Sequence, residues 1–200
     1  MKSVGEVMAI GRTFKEALGK ALRSLELDTT PKLDFDHIRQ YLANPTPERI
    51  SYVFAALRSG ISIEEINEIT YIDRWFLSEL ARFIKFEEYL RNTPWEALDD
   101  NAIQEAKKLG MSDREIGELF DRSEKEIRAY REKMAVQPVF KMVDTCAAEF
   151  EAATPYFYST YGGTEDEAVR DAQPRGRGVI LGSGPNRIGG TVIVNPGCKI

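Results

Sequence analysis

Apolar residues recur every three or four positions through most of the chain. In "TFKEALGKALRSLE", Phe14, Ala17, Leu18, Ala21, Leu22 and Leu25 fall on one stripe, which predicts an amphipathic helix with Thr13 at its N-cap. From about 31 to 135 the pattern stays helical, and its starts are written in capping chemistry. Thr46-Pro47 and Thr93-Pro94 each place a hydroxyl at N-cap and proline at N1, while Ser62 to Glu65, Ser112 to Glu115 and Ser123 to Glu126 fit the S-x-x-E capping box. At the ends the period changes. Residues 1 to 12, "MKSVGEVMAIGR", are β-branched and glycine-punctuated, as in a strand, and "VQPVFKMVDTCAAEFEAATPYFYSTYGG" predicts an extended segment laid across a neighbouring surface. Residues 162 to 178 read as a mobile charged loop, followed by a short strand, Val179 to Leu181, and a glycine-rich turn. The predicted fold is mainly α, a compact multi-helix array with short β or extended segments at both ends.

The array repeats itself. "AALRSGISIEEINEITYIDRWFL" (55 to 77) and "EAKKLGMSDREIGELFDRSEKEI" (105 to 127) align without a gap at an offset of 50, matching Ala56 with Ala106, Gly60 with Gly110, Ser62 with Ser112 and Ile66 with Ile116. Each copy reads helix, glycine stop, Ser-capped short helix, turn, helix, so two related helix-turn-helix-like units are expected side by side. In "IDRWFLSELARFIKFEEYLRN", Phe76, Leu80, Phe83 and Leu90 are predicted to face the core, leaving Trp75 and Phe86 on other faces for a partner copy.

Composition narrows the function. With 42% hydrophobic and 30% charged residues the chain can bury a core, and a net charge of -5 weighs against broad contact with nucleic acid or an anionic membrane. Cys146 and Cys198 make neither a disulfide framework nor metal-ligand spacing to His37, which points to a reducing cytoplasm. No basic segment followed by an apolar one opens the chain, and no apolar run approaches the roughly 20 residues of a membrane span.

A helix-turn-helix in the second unit would have Ile116, Leu119 and Ile127 as its core and offer Lys125, Arg128, Arg131 and Lys133 to phosphates. Glu124, Glu126 and Glu132 on the same helix nearly cancel that field, which favours a packing unit, with a stand-alone DNA-binding protein as the alternative. "GSGPNRIG" is not a dinucleotide fingerprint, because Arg187 stands where the third glycine would fall, and it lacks the Gly-Lys-Ser/Thr of a phosphate-binding Walker loop. Cys146 is expected to be a buried structural cysteine and His37 a surface or partly packed side chain. No acid-base pair, triad or metal cluster emerges, so no catalytic or metal-binding residue is assigned.

At "MKSVGEVMAIGRTFKEALGKALRSLE", "IDRWFL", "KMVDTCAAEFEAATPYFYSTY" and "LGSGPNRIG" the sequence resembles the large subunit of carbamoyl-phosphate synthase. The resemblance implies two ATP-grasp halves joined by a helical oligomerisation domain, making carbamoyl phosphate from bicarbonate, ATP and glutamine-derived ammonia for arginine and pyrimidine biosynthesis. It assigns 1 to 26 to the end of the carboxyphosphate half, 27 to 140 to the oligomerisation domain, 141 to 178 to a connector, and 179 to 200 to a truncated start of the carbamoyl-phosphate half. Gly182, Gly184, Asn186, Arg187 and Gly189 would form an incomplete cofactor loop, since Gly190 leads straight into "TVIVNPGCKI" where the family continues with Gln-Gly and a helix. ATP and Mg²⁺ or Mn²⁺ would be bound by the parent enzyme outside this chain. Expected partners are the missing ATP-grasp halves, the glutamine-hydrolysing small subunit and further copies of the chain.

Overall fold

A computed structural model describes residues 7–24, 34–154 and 156–168. The closing strand, the glycine loop at 182 to 189 and Cys198 lie outside the described residues. Eight α-helices and one antiparallel strand pair fill the described part: α1 (Phe14–Ser24), α2 (Ile38–Ala43), α3 (Arg49–Arg58), α4 (Ile63–Thr70), α5 (Arg74–Arg91), α6 (Asp100–Lys108), α7 (Asp113–Phe120), α8 (Glu124–Lys133), β1 (Val139–Met142) and β2 (Phe157–Thr160).

Capping chemistry sets most of these starts. The Thr13 hydroxyl accepts from the Glu16 amide, and Ser62 accepts from Glu65. Ser112 and Ser123 close full capping boxes with Glu115 and Glu126, whose carboxylates return to the serine amides at 2.7 and 2.8 Å. Both Thr-Pro starts are corrected. Thr46-Pro47 forms a turn ahead of α3, which begins at Arg49 with no side-chain cap, and Thr93-Pro94 begins only a 3-10 turn at Trp95–Ala97. The carboxylate of Asp99 caps α6 instead, as Asp73 caps α5, because an acid at N-cap also meets the positive end of the helix dipole.

The repeat is structural. Gly60 and Gly110 end α3 and α6 at φ 81° and 92°, a left-handed conformation that only glycine adopts without strain. Tyr71 and Asp121 turn both second helices at matching positions, with φ 57° and 52°. Val53, Ala56, Ile66 and Leu77 in the first unit are fully buried, as are Ile103, Ala106, Ile116 and Ile127 fifty residues on. Each set centres its own hydrophobic cluster. The long α5 belongs to both, placing Leu77 and Leu80 in the first and Leu90 in the second.

Two terminal expectations change. Residues 7 to 11 have no regular structure: β2 pairs with β1, and the Ile10 carbonyl is bridged to β2 by the Lys20 side chain and not by a backbone ladder. The segment after Val136 is a strand pair and not a lone extended stretch: Val139 faces Thr160 and Met142 faces Phe157. The described part of the predicted mobile loop is fastened to it. The Glu167 amide donates to the Phe140 carbonyl at 2.8 Å, and its carboxylate receives Lys141 at 2.7 Å and the Met142 amide at 2.9 Å.

Candidate interdomain junction and association surface

α1, the second helical unit and β2 meet around one buried carboxylate. Glu16 lies in the first turn of α1, and its Oε2 accepts the Arg12 amide and the Thr160 hydroxyl, both at 2.9 Å. Its Oε1 lies 3.1 Å from Lys20 Nζ as an ion pair but is not aligned for a hydrogen bond. Lys20 donates instead to the carbonyls of Ile10 and Ser159, tying the chain before α1 to β2. On the other flank Arg23 donates to the Gly110 carbonyl at 2.7 Å and reaches Glu115 at 3.1 Å. Gly110 is doubly constrained, because a Cβ there would come within 2.9 Å of Glu16 Cα and the Lys15 carbonyl.

Behind this contact lies a buried ion network. Lys107 Nζ is 2.7 Å from Asp113 Oδ1, Arg131 Nε is 2.8 Å from Asp113 Oδ2, and Arg131 also donates to the Val136 carbonyl. The Tyr161 ring covers both cations, with Lys107 Nζ 5.0 Å and the Arg131 guanidinium 5.8 Å from its centroid. Burial pushes the Lys107 ammonium below the ordinary lysine range, only partly opposed by Asp113. Burial alone would raise the Asp113 carboxyl, but hydrogen bonds from Lys107 and Arg131 outweigh it and hold the group below the usual carboxylate range. The Tyr161 phenol is raised, chiefly by burial. At the offset of 50, Lys107, Asp113 and Arg131 stand where the first unit has Leu57, Ile63 and Ala81. A cavity of about 250 Å³ opens between Lys20, Arg23, Lys107 and Tyr161, and the Lys20, Arg23 and Lys107 cations already have carboxylate or carbonyl partners. The arrangement fastens segments together, and the one serine hydroxyl of its lining that belongs to a helix cap, Ser112, donates to Glu115.

Sequence-predicted residues fare unevenly. Arg131 is not available to phosphates: its side chain is 11% exposed and committed to Asp113, while Arg128 pairs with Glu124. Cys146 is half-buried rather than buried, because its loop is held from outside by Asp144, which accepts the Cys146 and Ala148 amides at 2.8 Å. His37 is exposed with Nδ1 3.0 Å from Asp34. Among the described residues no group of three metal-ligating side chains occurs, and no helix is long and apolar enough to cross a membrane.

The inward face of α5 differs from expectation. Leu77, Leu80, Ile84, Glu87 and Leu90 are buried, whereas Phe76 is exposed and packs edge-on against Phe14 and Trp75 with centroids 5.0 and 4.9 Å apart. The stripe through Leu77 lies closer to both cores, and the flat Phe76 ring is used by α1. Trp75 is exposed, while Phe86 is half-buried against the second cluster, 5.7 Å from the Tyr89 ring. Glu16, Thr160, Lys107 and Asp113 were not singled out by local pattern, whereas Tyr161 belongs to the aromatic extended segment expected to lie across a neighbouring surface. One signal does exist in the sequence: charged residues replacing apolar ones at aligned repeat positions 57, 63 and 81.

The helical repeat thus holds α1 on one flank and β2 on the other, with Glu16 and Lys20 joining the two. The oligomerisation domain of the carbamoyl-phosphate synthetase large chain matches residues 6–135, and the chain belongs to that family. That match includes α1. The chain is 63% identical over 189 residues to the carbamoyl phosphate synthase large chain of Thermotoga neapolitana, 65% identical to that of Thermotoga maritima, and 45% identical over 201 residues to that of Archaeoglobus fulgidus. Each alignment covers 94% of this chain, which spans less than a fifth (17 or 18%) of those curated relatives.

Proposed function

We propose that this chain is the joint of a carbamoyl-phosphate synthase large subunit, spacing two ATP-dependent halves and associating with further copies of itself. The boundaries follow the resemblance, with residues 27 to 140 as the associating body between the end of one half and the connector to the next. The parent enzyme would make carbamoyl phosphate from bicarbonate and glutamine-derived ammonia in the cytoplasm. Its ATP and divalent cations would be held by the flanking halves, and its ammonia supplied by the small subunit. The observation carrying the reading is the junction at Glu16, where the segments entering and leaving the helical body are hydrogen-bonded to each other.

Two measurements on the purified chain test it. Light scattering at tens of micromolar is expected to show association, and a monomer would overturn the associating role. Bicarbonate-dependent ATP hydrolysis is expected to be absent, because phosphoryl transfer needs positioned cations that this chain does not assemble among its described residues. Measurable hydrolysis would overturn the division of labour.

A further inference from the structure

The strand pair is apolar on the side that faces away from the helical body. Side chains alternate across a strand, and the register of Phe140 with Ser159 and Met142 with Phe157 gathers these four on one face and Val139, Lys141, Tyr158 and Thr160 on the other. The second face is the inner one: Thr160 is buried against Glu16, Lys141 is held by Glu167, and the Tyr158 ring centroid lies 5.7 Å from Lys20 Nζ. The outer face leaves Phe140 42% and Phe157 43% exposed, and the loop joining Met142 to Phe157 adds Phe150 and Tyr156, which are more exposed still. Four rings at these exposures leave on the order of 400 Å² of aromatic surface in water, the size of patch that marks a contact site.

The edges of the pair are already occupied. Glu167 takes the Phe140 carbonyl and the Met142 amide on β1, and Lys20 takes the Ser159 carbonyl on β2. An added strand would find these backbone groups committed, so a partner meets the face and not the edge. Resting on the reading of this chain as a joint, we propose that the ATP-dependent half beyond the connector docks an apolar surface onto Phe140, Met142 and Phe157. The matched relatives devote only 17 or 18% of their length to this segment, so most of a large chain lies outside it. A half tethered through the connector is held near this face at an effective concentration on the order of millimolar, an advantage that a separate chain lacks. Arg12, Asp144, Glu151 and Glu167 border Met142 and Phe150 in a cavity of about 320 Å³, which supplies a polar rim beside the apolar centre.

Hydroxyl-radical footprinting read by peptide mass tests this on native side chains, in the 200-residue chain and in a full-length large chain that contains it. Oxidation of Phe140, Met142 and Phe157, scaled to Tyr71 at 89% exposure, is expected to fall about fivefold or more in the full-length chain, as exposure near 42% drops to that of a core residue. A photoreactive benzoylphenylalanine in place of Phe157 is expected to cross-link within the same full-length chain, to sequence beyond the connector. Bicarbonate-dependent ATP hydrolysis by that chain checks the joint reading separately. If hydrolysis is present but oxidation is unchanged, or position 157 cross-links to the other half, to the small subunit, to a second copy or to residues 169–200, the docking is wrong and the joint reading survives. A full-length chain without that hydrolysis overturns the reading and the docking with it.

Discussion

Replacing Asp113 with the isoleucine-like environment of its repeat partner isolates the energetics of the junction. Asp113→Ile leaves Lys107, 6% exposed, without the carboxylate 2.7 Å away and leaves Arg131 Nε without the two carboxylate oxygens that share its proton. Breaking a buried ion pair by removing one member costs about 3–5 kcal/mol, because the survivor stays desolvated. With a urea slope of about 2–3 kcal/mol/M, the midpoint should fall by roughly 1–2 M. The triple change Lys107→Leu, Asp113→Ile and Arg131→Ala instead reproduces Leu57, Ile63 and Ala81 of the first unit, and replacing a whole buried ionic group by apolar residues is often neutral or stabilising by about 1–4 kcal/mol. Urea unfolding followed by circular dichroism decides the matter. An Asp113→Ile midpoint within 0.3 M of the parent at that slope, roughly 1 kcal/mol, or a triple variant as unstable as the single one, would refute the desolvation argument.

Further outcomes follow from the same geometry. Asp113 and Glu79 both titrate below their ordinary range, Glu79 chiefly through its hydrogen bond from Lys15, so the unfolded chain binds more protons than the folded one in acid. Their stabilisation is therefore complete above the ordinary carboxylate range and is lost as pH falls through about 4 and below, which acid titration of the unfolding midpoint would show; a midpoint flat down to about pH 2 contradicts it. Gly60→Ala should cost about 1 kcal/mol for its left-handed backbone alone, since a Cβ there meets nothing within 4 Å, whereas Gly110→Ala adds the collision with α1 and should cost clearly more. Equal costs in urea unfolding would mean that α1 does not rest on Gly110. Thr160→Val removes a donor from the buried Glu16 carboxylate, worth about 1.5–3 kcal/mol locally, and should raise hydrogen exchange at 157 to 161 while α4 stays protected. Unchanged exchange in β2 would show that Lys20 and Tyr161 suffice to hold it.

The helical body was legible because its signals are local. Serine boxes and glycine stops each lie within one or two turns of chain, the ungapped offset of fifty residues shows them twice, and the fully buried residues Ile66, Leu77, Ile116 and Ile127 fall at the aligned positions. Asp99 escaped notice because the nearby Thr93-Pro94 pair looked like a stronger start, yet proline at N1 does not fix where the first helical turn closes; Asp73 has no such competitor and was simply passed over inside the longer helical pattern. Along α5, hydrophobicity alone could not choose between the adjacent Phe76 and Leu77; the choice is made by which of them meets Val53 and Ile66, and that depends on tertiary packing. The junction was beyond local reading altogether. Glu16 and Thr160 are 144 residues apart, and nothing near either residue announces the other.

The divergence between the two units explains why one is joined to β2 and the other is not. Both keep the same four buried apolar positions, so the fold itself does not require ions at 107, 113 and 131. In the first unit the corresponding Leu57 and Ile63 pack against its own cluster. In the second, the cations hold Asp113 from two directions and present a flat charged floor to the Tyr161 ring. Apolar contact is non-directional and would tolerate β2 sliding across the surface, whereas the hydrogen bond from Thr160 to Glu16 and the stacking of Tyr161 fix one position. On this hypothesis the ionic group supplies orientation where hydrophobic packing would have supplied equal or greater stability. The triple variant should then unfold at or above the parent's midpoint and yet exchange amide hydrogens faster at 157 to 161. A variant as protected there as the parent would mean that Glu16 alone positions the outgoing strand.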